Sequence, residues 1–296
     1  MEAKPISSIR FELGEGPIWD HRERVLRWVD IIGQKICRYA PSTGVTSCSD
    51  VGMLVSAVLL GSGSRLVLAT ESGLATWDEG SGAFGPFINP ESDLPNNRFN
   101  DAKTSPKGHI HAGTMNKGAA EPVGSLYCFG GDREPARIAS GFYVSNGLGW
   151  SPDGSRFYLT DSARREIYVF ACDADEQLGE RRLFRRFADE EGKPDGLAVD
   201  RDGCLWVAFW DGWRVGCYAP DGSHLRDIRL PVPRPTSCAF GGDDLSTLYI
   251  TTAAVGLERE TLEQAPYSGL VLAVEGVAQG MAAIEAHWPL GFESGG

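Results

Sequence analysis

Pro194-Asp195-Gly196-Leu197-Ala198-Val199, Asp200-Arg201-Asp202-Gly203, Cys204-Leu205-Trp206-Val207-Ala208 and Arg214-Val215-Gly216-Cys217-Tyr218 give, in order, a polar stop with a buried run, a turn, and two further apolar runs. Runs of about five residues rich in Val, Trp and Tyr, separated by Asp-Gly turn chemistry, read as short antiparallel strands. The same plan stands upstream. Ser145-Asn146-Gly147 precedes Leu148-Gly149-Trp150, the turn Ser151-Pro152-Asp153-Gly154 and two strand runs; Gly14-Glu15-Gly16 precedes Pro17-Ile18-Trp19 and two more. Looser copies of the stop occur at Val55-Ser56-Ala57, Phe99-Asn100-Asp101 and Thr236-Ser237-Cys238. The six middle residues, at 15, 56, 100, 146, 195 and 237, recur at steps of about 41 to 49 residues, the period of a four-stranded propeller blade. The spacing predicts an all-β fold, a six-bladed β-propeller, with residues 1–296 forming a single domain and no linker dividing it.

Equivalent positions of a propeller meet at the central channel. Four of the six middle residues are Glu15, Asn100, Asn146 and Asp195. Symmetry then gathers two carboxylates and two amides around one axis, an oxygen-rich set suited to a hard cation. Asn-Gly and Asp-Gly are also common turn signals. What separates the two readings is that Asn146 and Asp195 fall in register with Glu15 on one period.

The bulk numbers exclude several classes. Of 296 residues, 42% are hydrophobic, which argues against disorder, and 37 glycines with 17 prolines suit many tight turns. The net charge of −12 opposes nucleic-acid binding, which needs a basic footprint. No apolar run reaches the ~20 residues of a membrane span. The N-terminus, Met1-Glu2-Ala3-Lys4-Pro5, lacks the apolar core of a signal peptide, so a cytoplasmic protein is expected. Seven cysteines without CxxC spacing read as reduced thiols. Two pairs, Cys37 with Cys48 and Cys204 with Cys217, nevertheless lie about equally far from a hairpin turn and face each other. Ile6–Phe11 is expected to supply the strand that closes the ring, and 256–266 a loop or a turn of helix. His109 and His111 share one strand face, read as exposed. Trp210 and Trp213 flank a turn, where packing is the ordinary role. Ser145 does not sit in a Gly-x-Ser-x-Gly elbow, which disfavours a serine hydrolase.

Taken together, Leu13–Trp19, Asn97-Arg98-Phe99-Asn100-Asp101, Ala112-Gly113-Thr114-Met115, Ser145-Asn146-Gly147-Leu148, Pro194-Asp195-Gly196 and Gly241-Gly242 ahead of Leu248–Thr251 resemble the senescence-marker-protein/gluconolactonase/regucalcin family along essentially the whole chain. The resemblance implies a six-bladed propeller with one divalent metal ion in its channel that hydrolyses sugar lactones. It implies metal ligands at Glu15, Asn146 and Asp195, substrate contacts at Arg98 and Asn100, and Asp101 close to the reacting centre. Some animal relatives carry a substrate-binding glutamate in the loop after Ala-Gly-Thr-Met, where this chain has Gly118; either Asn116, Lys117 or Glu121 substitutes, or the far end of the substrate is read differently.

The chemistry holds without the family. A divalent ion with few protein ligands keeps open positions for polarising a lactone carbonyl and activating water. Asp195, beside it, is a candidate proton acceptor, although ligand and base roles compete. The oxygen set favours Ca²⁺, with Mg²⁺, Mn²⁺, Fe²⁺ or Zn²⁺ as alternatives. The expected partner is a small sugar lactone, and the expected state a monomer or weak homo-oligomer. A regulatory calcium-binding protein and a propeller esterase or phosphotriesterase compete with this reading. Arg98 and Asn100 favour the polyhydroxylated substrate, because a hydrophobic ester needs neither.

Overall fold

Gly14–Asp20, Val55–Leu60, Asn97–Thr104, Ser145–Trp150, Lys193–Val199 and Pro235–Gly241 are strands in the computed structural model, which describes residues 2–130 and 134–287. Each is an edge strand of its own four-stranded antiparallel sheet, and each contacts its counterparts in the sheets before and after it. The six sheets therefore form a closed ring with these strands innermost: a six-bladed propeller.

Packing follows from that arrangement. Six apolar clusters occupy the six gaps between neighbouring blades. Between blades six and one, for example, Trp19 stacks on Tyr249 with ring centroids 5.9 Å apart, and Phe11 meets Trp28 edge-on at 5.4 Å. Full burial of such a side chain stabilises the fold by roughly 1.5–3 kcal/mol.

The feature that positions the site is a bulge repeated six times. Every inner strand slips its register against the next strand near its start: between Glu15 and Ile18, Val55 and Ala57, Phe99 and Asp101, Asn146 and Leu148, Pro194 and Leu197, and Pro235 and Ser237. A bulge leaves residues unpaired, bends the strand and re-aims a side chain. The six polar stops of the sequence are these bulges. In the sixth, the unpaired residue is Thr236; its hydroxyl donates to Gly14 O at 2.5 Å, joining the last blade to the first.

Several expectations need correction. The closing strand is Lys4–Pro5, paired with Ala273 and Leu272, rather than Ile6–Phe11. Beyond it the Ser7 hydroxyl accepts the Ile9 N–H and turns the chain, leaving only Ile6 N to Val271 O (3.0 Å) and Phe11 N to Gly269 O (2.8 Å). Cys37 and Cys48 are directly opposed in a hairpin, with Cα atoms 4.1 Å apart, and are joined in a disulfide, so the reading of all cysteines as reduced thiols fails there. Cys204 and Cys217 are free, and Cys217 lies opposite Trp206 in the ladder. His111 is not exposed. It is fully buried, edge-on to Trp150 at 4.9 Å, and burial pushes its pKa down to about 4. His109 is half-buried and bonds Glu176 through Nδ1 at 2.9 Å.

The segment at 256–266 contains a short helix, Arg259–Gln264. Among the described residues, no helix is long and apolar enough to cross a membrane. Residues 277–287 run as a strap across the far end of the inner strands. Gln279 O accepts from Arg201 N (2.8 Å), Ala286 N donates to Leu60 O (2.6 Å) and His287 N to Gly108 O (2.8 Å).

Candidate functional site

The inner strands begin at one end of the ring, so the six bulges encircle one mouth of the channel. Glu15, Asn146 and Asp195 are 9%, 6% and 5% exposed there, polar side chains held out of solvent. The Asn146 amide nitrogen donates to the Asp195 carboxylate, and to Ser162 Oγ at 3.2 Å. Gly147 takes φ +35°, and a Cβ there would meet Asp195 O at 2.5 Å; one at Gly196 would meet Ser237 Oγ at 2.1 Å. Glycine therefore follows the polar residue because the neighbouring blade passes where a side chain would be. The Asn-Gly and Asp-Gly pairs are close-approach signals here, beyond ordinary turn chemistry.

Blade three adds the rest of the set. Arg98 Nη1 donates to Asn100 Oδ1 at 2.9 Å and to Phe99 O at 2.8 Å, and the Asn100 amide donates to Ser145 O at 2.9 Å. Arg98 and Asn100 are thus tied to each other and to blade four. Asp101 accepts the Ala102 N–H at 2.7 Å. Asn116 sits opposite Asn97 at the same rim, and its Oδ1 accepts the Gly118 N–H at 3.0 Å, so its oxygen serves its own loop. Lys117 holds that loop by an ion pair to Glu71 at 3.1 Å.

The electrostatics are those of a site short of positive charge. Glu15 is pushed well above the usual carboxylate range by burial, then by the charges of Asp195 and Asp101; the Gly16 N–H and Arg98 oppose this only in part. Asp195 is raised by burial and by Asp101, against Asn146 and the Gly196 N–H. Burial lifts Asp101 to about 6, with Lys103 and backbone N–H groups pulling the other way. Burial likewise lowers Arg98, against the charges of Glu15 and Glu71.

Asp195 and Asp101 both raise Glu15, and Asp101 raises Asp195, a repulsion that a cation would relieve. The donors are carboxylate and amide oxygens, a hard set, and the Asn146 amide can turn an oxygen where its nitrogen now points. Among the described residues no three His, Cys, Asp or Glu side chains are grouped as a metal cage. A set of two carboxylates and one amide falls outside that grouping. Glu15, Asn146 and Asp195 therefore fit an oxygen-seeking divalent ion.

Two contributors escaped the sequence reading. Lys103 follows Asp101 by two residues, so it projects from the same strand face further down the channel, and the alternation of a strand was the signal for it. Glu91 is buried and accepts from Asn97 Nδ2 (2.9 Å), Thr114 Oγ1 (3.0 Å) and Tyr127 OH (3.1 Å), fixing the start of the strand that carries Arg98. It lies in an irregular segment with no pattern to flag it.

The model of the SMP-30/Gluconolactonase/LRE-like region matches residues 13–254. The chain belongs to this family. Among its relatives, regucalcin of Gallus gallus is 37% identical over 281 residues, spanning 92% of this chain and 93% of that protein. L-arabinolactonase of Azospirillum brasilense is 36% identical over 286 residues, spanning 95% and 94%. The crystal structure of a calcium-binding protein, regucalcin, from Agrobacterium tumefaciens strain C58 matches with a TM-score of 0.91 at 27% identity, covering 96% of each chain. The family thus includes both lactonases and proteins named for calcium, and both match this chain along nearly its whole length.

Proposed function

We propose that this chain hydrolyses a sugar lactone, opening an aldonolactone to the free aldonic acid, with one divalent cation held by Glu15, Asn146 and Asp195. The observation that carries the reading is the convergence of these buried oxygen donors from three blades beside Arg98 and Asn100 at one channel mouth. The family and its lactonase member support it. Ca²⁺ suits the oxygen donors best; Mg²⁺, Mn²⁺, Fe²⁺ and Zn²⁺ are the ions to compare with it. When bound, such an ion polarises the lactone carbonyl and makes water a better nucleophile.

The chain's own residues supply the rest. Arg98 presents N–H groups to a sugar hydroxyl or to the developing negative charge on the carbonyl oxygen, in a fork already steadied by Asn100. Asn100 orients Arg98 and offers its amide to the sugar ring. Asp101, with a pKa of about 6, is poised near neutrality to take a proton from the attacking water; Asp195 competes for that role but also holds the cation. Burial keeps bulk water from screening these charges.

The substrate is a small molecule, and the protein acts in the cytoplasm as a monomer or weak homo-oligomer. The test is a pH-indicator screen of glucono-, xylono-, arabinono- and galactonolactone using metal-stripped protein with ions added back. Hydrolysis that appears only with a divalent ion is expected. Hydrolysis of none of the lactones, or undiminished hydrolysis without metal, overturns the reading.

A further inference from the structure

The channel has a second mouth, at the other end of the inner strands. From Asp195 to Val199 the strand advances roughly 13 Å, so this end is well separated from the three carboxylates. The strand ends and the strap enclose a cavity of about 270 Å³, lined by Ile18, Trp19, Trp150, Val199, Phe240 and Ile284 among others. That volume suits a small ligand. Met281 and Ile284 of the strap also meet solvent, at 37% and 42% exposure, so the cavity opens beside the strap.

The wall is apolar with one charge in it. Lys103 lines the cavity and hangs into the channel between it and Asp101. Its ammonium has three N–H donors, and among the described residues one is spent, on Leu197 O at 3.2 Å. Lys103 is half-buried, and ammonium donors left without a partner against apolar walls are costly. Asp101 attracts Lys103 but makes no ion pair with it among the described residues. An anion arriving from the cavity side would use the idle donors while its apolar body covered Trp19, Trp150 and Phe240.

We propose that this cavity is a second ligand site, distinct from the carboxylate mouth, for a small amphipathic monocarboxylate: one carboxylate on Lys103 and an apolar tail against the aromatic wall. The aldonic acid product is a poor fit, because its hydroxyls would lie unpaired on apolar walls. The site is independent of whether the other mouth hydrolyses lactones.

Calorimetric titration of the whole protein with sodium octanoate, 1-octanol and sodium gluconate tests this. Octanoate should bind once per chain, at least tenfold more tightly than octanol, and gluconate should give no heat of binding at this site. Lys103→Met should weaken octanoate at least tenfold and leave octanol unchanged. Ala239→Phe and Ala283→Trp fill the cavity from the inner strand and from the strap without touching Lys103, and each should weaken both probes at least tenfold. No saturable octanoate binding, equal affinity for octanol, or indifference to both filling substitutions overturns the proposal.

Discussion

The Asn146 amide donates to the Asp195 carboxylate across the gap between blades four and five, over a separation of 49 residues in sequence. The contact joins the inner-strand bulges of two successive blades. Neither partner could be placed by its own strand alone, so loss of one should be felt by the whole oxygen set.

Asp195→Ala should therefore abolish both metal binding and lactone hydrolysis. The variant removes one of the three proposed ligands and a negative charge that would face the cation. Metal analysis after dialysis, run alongside the hydrolysis assay, checks it. Full metal occupancy in the variant would put the site elsewhere.

Arg98→Ala should retain the metal and lose about 1–3 kcal/mol of transition-state stabilisation, the scale of a charged hydrogen bond, read as a fall in kcat/KM. The change leaves Asn100 bonded to Ser145 O, so the rim should keep its shape. Unaltered kinetics on every lactone would remove Arg98 from the reaction.

Asp101→Asn should keep the metal and flatten the acid limb of the pH–rate profile. With a pKa of about 6 in the metal-free site, Asp101 as the proposed base would act above that value and be silenced as pH falls through it; a nearby cation would move the limb to lower pH. A limb of unchanged position and depth in the variant would assign the proton to Asp195.

Gly118→Glu should shift the ratio of kcat/KM among aldonolactones with little effect on metal affinity. A Cβ there meets only Asn116 Oδ1, at 3.2 Å, the end of a side chain that can give way. The new carboxylate would stand on the loop that Lys117 pins at the rim. Replacement of the loop without any change in that ratio would move substrate selection away from it.

Acid stability should depend on Asp20. Burial pushes its carboxyl up, but hydrogen bonds from Arg22 and Arg27 outweigh that and hold it at about 2, below the ordinary 3.8. Because the folded-state pKa is lowered, the stabilisation is full above about pH 4 and is lost as pH falls through 2. The shift corresponds to roughly 2 kcal/mol. Urea unfolding of the wild type and Asp20→Asn at pH 6 and pH 2.5 should show a smaller loss on acidification in the variant.

Much of this architecture was written in the sequence because a bulge needs particular residues. Gly16, Gly147 and Gly196 follow Glu15, Asn146 and Asp195 where backbones crowd or φ turns positive, so stop, period and oxygen set were visible together. The rest depended on contacts between blades. Nothing in His109-Ile110-His111 says that Trp150 and Phe157 of the next blade cover the second imidazole. Nothing at Thr236 says that its hydroxyl reaches Gly14. The facing positions of Cys37 and Cys48 were legible, but no turn signal reveals that Cys217 lies opposite Trp206.

The pairing of Lys4 and Pro5 with Ala273 and Leu272 has a consequence for synthesis on the ribosome. Lys4 and Pro5 leave the ribosome long before their partners, 267 or more residues later in the chain, are made. Until then the nascent chain is an open arc, and Phe11, Trp19 and Trp28 lack the cover that Tyr249 and Val271 bring. Translation that stops before the last blade would release an arc with a sticky aromatic edge, a species for chaperones and proteases to recognise.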